Sequence, residues 1–127
     1  MVLVKRAYEP AAAEDGFRVL VDRLWPRGVT KAALALDAWV KEVAPSHELR
    51  RWFGHDPGRW REFVARYRRE LRAPGARAAI ADLAARAARG RVTLVYGAAD
   101  EAHNDAVVLR AEIERALRTG GRRPRAG

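Results

Sequence analysis

The sequence predicts a small α/β fold: a sheet that is at least partly parallel, with helices packed around it in three layers. Three observations carry this. Short runs at 2–8, 17–24 and 91–96 are mostly apolar and rich in β-branched residues, as in strands covered on both faces. Apolar residues recur at helical spacing between the second and third runs and again after the third, and such alternation implies parallel pairing. The length, 127 residues, suits one domain, which at this size buries roughly two-thirds of the surface its unfolded chain exposes.

The first strand, 2–8, leads into a loop over 9–16 that closes in a turn at Asp15-Gly16. The second, 17–24, has a continuous apolar centre at Val19-Leu20-Val21 and is stopped by Pro26 and Gly28. Thr30 is placed to cap a helix running to about Val43, and Ser46 to cap a short one carrying Leu49, Trp52 and Phe53. Asp56 before Pro57 combines an N-cap with a proline at the first helical position. The helix it opens puts Trp60, Phe63, Val64, Tyr67 and Leu71 on one face. A further helix starts near Pro74, carries Ile80, Leu83 and Ala87, and ends at Gly90 as a C-cap glycine. The third strand, 91–96, runs into a last helix that begins near Glu101 to His103 and places Ala106, Leu109, Ile113 and Leu117 on one stripe. The domain is expected to span 1–118, followed by a flexible arginine-rich tail at 119–127. About eight loop residues join the first two strands, short for a crossover, so their relative direction stays open.

Composition narrows the function classes. The absence of cysteine excludes disulfides, zinc–cysteine sites and a thiol nucleophile. The N-terminal segment has no signal-peptide core, and no stretch approaches a transmembrane length, so a cytoplasmic protein without a membrane partner is expected. The net charge of +9 suggests an anionic partner, nucleic acid or a phosphorylated ligand. Much of that charge, however, lies in Arg115, Arg118, Arg122, Arg123 and Arg125 near the end of the chain, where a solvated terminus is the simpler reading.

Two strand ends carry the candidate chemistry. Asp22-Arg23-Leu24-Trp25-Pro26-Arg27-Gly28 follows the apolar centre of the second strand, and in open α/β sheets ligands bind beyond the carboxyl ends of strands. Asp22, Arg23 and Arg27 are therefore candidates, the arginines as two-pronged grips for carboxylate or phosphate. The alternative for Asp22 and Arg23 is an internal ion pair that pins the loop. At the exit of the third strand, Tyr96-Gly97-Ala98-Ala99-Asp100 leads into Glu101-Ala102-His103-Asn104. Strand, small-residue turn and helix N-terminus form a shape that binds anions through backbone N–H groups. Asp22 and His103 are the candidate proton carriers; Arg6, Arg23, Arg27, Tyr96, Asp100 and Asn104 are the candidate ligand contacts. The bland readings are an N-cap for Asp100 and a surface position for His103. The run from Arg50-Arg51-Trp52-Phe53 to His55-Asp56 interleaves basic and aromatic residues, but its spacing favours core anchors over base stacking. Nothing fixes a metal-binding spacing among His47, His55 and His103, so no metal is assigned, and the cofactor is left unknown.

The segments 15–28, Trp39-Val40-Lys41, Ala44-Pro45-Ser46, Leu49 to Pro57, Tyr67 with Glu70-Leu71, and Thr93 through Asn104 together resemble the YeaO-like branch of the domain-of-unknown-function family 488. The resemblance covers about residues 2–117. It implies an α/β fold and a bacterial or archaeal protein without an established activity; some members are labelled transcriptional regulators. In the wider family the third strand often ends near a cysteine, with a Cys-His-Arg triplet at the next helix. Here Tyr96 and Asn104-Asp105-Ala106 stand in those places, so thiol chemistry does not transfer. What the resemblance does imply is location: Lys5, Arg6, Asp22, Arg23, Arg27, Tyr96, Asp100, His103 and Asn104 gather around the two strand ends. A small anionic ligand is the partner this favours, with a nucleic-acid-binding or regulatory module as the alternative; the oligomeric state is open.

Overall fold

The computed structural model describes residues 1–122. Four parallel strands form one sheet in the order β1-β4-β2-β3: β1 is Val2–Arg6, β2 Phe17–Leu20, β3 Ala38–Trp39 and β4 Val92–Tyr96. The direction left open by the short first loop is thereby fixed. The first two strands run parallel and do not touch, because β4 inserts between them, pairing Val4 with Leu94 on one side and Val19 with Leu94 on the other.

The helices are α1 (Lys31–Leu34), α2 (His47–Phe53), α3 (Trp60–Glu70), α4 (Pro74–Arg89) and α5 (Asp105–Arg122). Alternate residues of the strands meet different layers. Val2, Val19, Val21, Val92, Leu94 and Tyr96 join the larger core with Phe53, Phe63 and Tyr67, with Ile80 and Leu83 of α4, and with Leu109 and Ile113 of α5. Leu20 and Val95 face a smaller cluster with Ala7 and Leu34. β4 is buried along its whole length, which is why its sequence is apolar rather than alternating. Each fully buried aliphatic side chain of this kind contributes roughly 1.5–3 kcal/mol.

Several boundaries differ from expectation. The first two strands stop at Arg6 and Leu20, although Val21 still donates to the Val95 carbonyl at 3.1 Å. Thr30 does cap a helix, its hydroxyl accepting from Ala33 N at 3.0 Å, but that helix ends at Leu34 instead of reaching Val43. The Arg18 guanidinium claims the Leu34 carbonyl with two N–H groups, at 3.0 and 2.8 Å, and Ala35 turns left-handed at φ 47°. The chain is then free to lay Ala38–Trp39 beside β2 as a short edge strand that the sequence did not announce. Gly90 does follow α4, but in an extended conformation rather than the left-handed one of a C-cap glycine. The caps at Ser46 and Asp56 form, accepting from Leu49 N and Gly58 N, although Asp56 opens a 3-10 turn over Pro57–Arg59 before α3 begins.

The last helix begins at Asp105, not near Glu101 to His103. The Asp100 carboxylate takes the amides of Ala102 and His103 into a separate turn, and Asn104 caps the helix by accepting from Val107 N at 3.1 Å. α5 continues through Arg122, four residues into the expected tail; residues 123–127 of that tail lie outside the described residues. Among the described residues no helix is long and apolar enough to cross a membrane.

Beneath the smaller cluster lies an ion network. Asp15, nearly fully buried, receives Arg18 Nη1 at 2.7 Å and Lys5 Nζ at 3.1 Å, and its backbone carbonyl accepts from the Thr93 hydroxyl. Arg18 is equally buried. This buried network is built on Asp15, whereas the Asp22–Arg23 pair considered as one alternative does not form.

Candidate functional site

Beyond the carboxyl ends of β2 and β4 the surface opens into a cleft of about 580 Å³. One wall is the 22–27 segment together with Tyr8, a second is 97–105, and the third comes from the helical layer as Pro45, Arg50, Phe53, His55 and Phe63. The two strand ends are tied at the floor. Asp22 Oδ2 accepts from the Gly97 amide at 2.8 Å, and the Asp22 backbone carbonyl accepts from Trp39 Nε1 at 2.7 Å. Asp105, the first residue of α5, lines the cleft beside Asp22. Burial and the neighbouring Asp22 charge push Asp105 well above the ordinary carboxylate range. Beneath them, burial drives the Tyr67 phenol well above its usual value; that hydroxyl donates to the Val43 carbonyl.

Of the residues singled out in sequence, Asp22, Arg27, Asp100, His103 and Asn104 line this cleft, while Arg6, Arg23 and Tyr96 do not. Asp100 and His103 form a pair, Nδ1 to Oδ2 at 2.9 Å, and this hydrogen bond holds the Asp100 carboxyl below its usual range. His103 also meets the Trp60 ring edge-on at 5.1 Å. The Asn104 side chain is spent on backbone, donating to the Asp100 carbonyl and capping α5. The first amides of α5 are likewise taken, by Asp105 and Asn104, so the helix N-terminus is satisfied from within.

The three residues outside the cleft hold its frame. Arg6 Nε donates to the Ala98 carbonyl at 2.9 Å, fixing the loop after β4. Arg23 turns away from Asp22 and donates to the carbonyls of Pro45 and Ala44, at 3.1 and 3.2 Å, so the expected Asp22–Arg23 ion pair is absent. Tyr96 is fully buried in the larger core, and burial, with Glu101 and Glu9 nearby, raises its phenol.

Sequence reading passed over Arg50, His55 and Asp105 as cleft residues. Arg50 belongs to a run whose Phe53 is structural, buried and stacked on Phe63 of α3 at 4.4 Å. Arg50 itself is half-buried on the wall of the cleft, and its side chain has no hydrogen bond or ion pair among the described residues. His55 sits at the rim, brought there by a left-handed backbone at φ 58°. Its sequence neighbour Asp56 faces Gly58 N instead. The signal that could have found Arg50 is its place on the inward turn of α2, one helical turn after the Ser46 cap. Among the described residues no three potential metal ligands gather.

Comparison with known proteins gives a consistent picture. A family model described as "Inactive DUF488-N3 subclade" matches residues 1–125. Uncharacterized protein YeaO of Escherichia coli is 44% identical over 108 residues, covering 83% of this chain and 90% of that protein. Uncharacterized protein Rv3073c of Mycobacterium tuberculosis is also 44% identical over 108 residues, covering 85% of this chain and 89% of its own. No solved structure gives a significant match. With the family model spanning the whole fold and YeaO matched along nearly all of its length, the chain belongs to the YeaO-like branch of the domain-of-unknown-function family 488.

Proposed function

We propose that this is a cytoplasmic binding protein that holds a small anionic ligand in the cleft beyond β2 and β4, without transforming it. The observation that carries the reading is Arg50: a half-buried residue on the cleft wall whose guanidinium no protein group among the described residues engages. Its guanidinium offers a planar, two-pronged grip to an anion that enters from outside. Arg27 stands at the same opening and adds positive charge, with His55 beside it. The cleft volume lies within the ~300–1,000 Å³ usual for small-molecule sites.

Three features support binding over catalysis. The matching family model is described as inactive. The chain has no cysteine to act as a nucleophile. The proton carriers expected from sequence, Asp22 and His103, are each engaged by a protein partner, Gly97 for the first and Asp100 for the second. The nucleic-acid alternative is weaker at this cleft, because Asp22, Asp100 and Asp105 line it and would oppose a phosphate backbone. In this reading the domain of 1–118 carries the function and the arginine-rich end is dispensable.

The test is calorimetric titration with small carboxylates and inorganic phosphate, comparing wild type with Arg50→Gln and with Arg51→Gln, which alters an exposed residue outside the cleft. At least one anion should bind wild type and Arg51→Gln alike and lose about tenfold or more in Arg50→Gln. Equal affinity in all three, or binding of none of these anions, would overturn the reading.

A further inference from the structure

The chemistry around Arg50 defines the kind of anion more narrowly. Between the cationic opening and the floor the walls are apolar: Leu24, Trp25, Pro26, Pro45, Phe53 and Phe63 all line the cleft. Phe53 and Phe63 are buried and Leu24 is 52% exposed, so the apolar lining extends from core to rim. The floor is different again. Asp22 and Asp105 both present carboxyl groups to the cleft, one oxygen of Asp22 already anchored by Gly97. Carboxyl oxygens accept, and a ligand hydroxyl is their natural donor. The same carboxylates, with Asp100 nearby, disfavour a multiply charged anion such as phosphate. Inorganic phosphate would also leave the apolar walls unused.

We propose that the cleft takes a singly charged organic acid with a flat apolar body and a hydroxyl group: the carboxylate on Arg50, the body between the Trp25–Pro26 and Phe53–Phe63 walls, and the hydroxyl on the Asp22–Asp105 pair. This rests on the reading of the cleft as an anion-binding site and names the class of anion. Trp25, half-buried on the wall with its Nε1–H held by the Val29 carbonyl at 2.7 Å, makes the site observable by fluorescence.

The experiment titrates the full chain with 4-hydroxyphenylacetate, phenylacetate and inorganic phosphate, following tryptophan emission and heat. The hydroxylated acid should bind about tenfold more tightly than phenylacetate, and both more tightly than phosphate. Asp105→Ala should bring the ratio of the two acids' affinities close to one. Arg50→Gln should weaken both acids together. Circular dichroism on each variant confirms the fold, and the wild-type order of affinities decides the matter even if a variant fails to fold. Phosphate binding as tightly as the aromatic acids would overturn this inference and leave the anion-binding reading standing. Phenylacetate matching its hydroxylated analogue would do the same. Binding of none of the three would bring down both.

Discussion

Asp22 accepts the Gly97 amide at 2.8 Å, so the carboxylate after β2 takes over from the strand ladder at the point where the backbone pairing of β2 and β4 stops. The bond is tight from both sides: a Cβ on Gly97 would stand 3.3 Å from Asp22 Oδ2. One residue therefore terminates the sheet, floors the cleft and meets Asp105. Removing the acceptor strands a half-buried N–H. Asp22→Ala is expected to cost about 1–3 kcal/mol in urea denaturation, and Asp22→Asn, which keeps an acceptor oxygen, less than about 1 kcal/mol. Equal losses in the two variants would show that the hydrogen bond is not what holds the strand ends.

The acid pair gives stability a pH dependence of unusual sign. Asp105 is raised from its ordinary 3.8 by burial and by the Asp22 charge, so the folded protein holds a proton there that the unfolded chain releases. Its contribution is complete below 3.8 and is lost as pH rises through the folded value. Asp105→Asn, neutral throughout, should remove that decline and raise Tm at pH 7.5 by ~3 °C or more, measured by calorimetry across pH 4–8. A variant whose Tm tracks wild type across that range would refute the upward shift of Asp105.

Asp15 behaves in the opposite way. Burial pushes it up, but the Ala12 amide, Lys5 and Arg18 outweigh burial and hold it below 3.8. Its stabilisation is present above 3.8 and fades as pH falls through the folded value. Asp15→Asn leaves the buried Arg18 guanidinium without its counter-charge, and breaking a buried pair from one side costs about 3–5 kcal/mol. A loss under about 1 kcal/mol by chemical denaturation would mean that Leu34 and solvent suffice for Arg18.

Gly16 should be intolerant of any side chain. Its φ is +67°, and a Cβ would stand 2.4 Å from the Arg91 carbonyl oxygen, which already accepts from Phe17 N at 2.9 Å. Gly16→Ala adds left-handed strain to a backbone collision that cannot be relieved by a rotamer change, for an expected loss of about 3 kcal/mol or more. Gly28→Ala is the control: φ is +77° there as well, but nothing lies within 4 Å, so only the conformational penalty of about 1 kcal/mol remains. Similar thermal shifts in the two variants would rule out the Arg91 collision.

The sequence by itself determined the layers and the position of the cleft. Val19-Leu20-Val21 and Val92-Thr93-Leu94-Val95-Tyr96 read as doubly covered strands because burial on both faces leaves little room for polar side chains. Ser46, Asp56 and Thr30 read as caps because a short side-chain oxygen satisfies amides only two or three residues away. A parallel sheet with polar residues just past its strands then puts a cleft beyond those ends. Only the tertiary structure decided which polar residues face the cleft. Arg23 and Arg50 are both arginines near apolar runs, yet Arg23 is drawn off by the carbonyls of Ala44 and Pro45 while Arg50 is left facing the opening. Asp22 meets Gly97 across 75 residues, Asp15 meets Thr93 across 78, and α1 stops at Leu34 because an arginine from β2 takes its carbonyl. Local pattern specifies what a segment becomes, because capping and periodicity act over a few residues; partners for long polar side chains are assigned only when distant segments are brought together, and there the contacts of Asp22 and Arg23 and the placement of Arg50 and Asp105 in the cleft lining were decided.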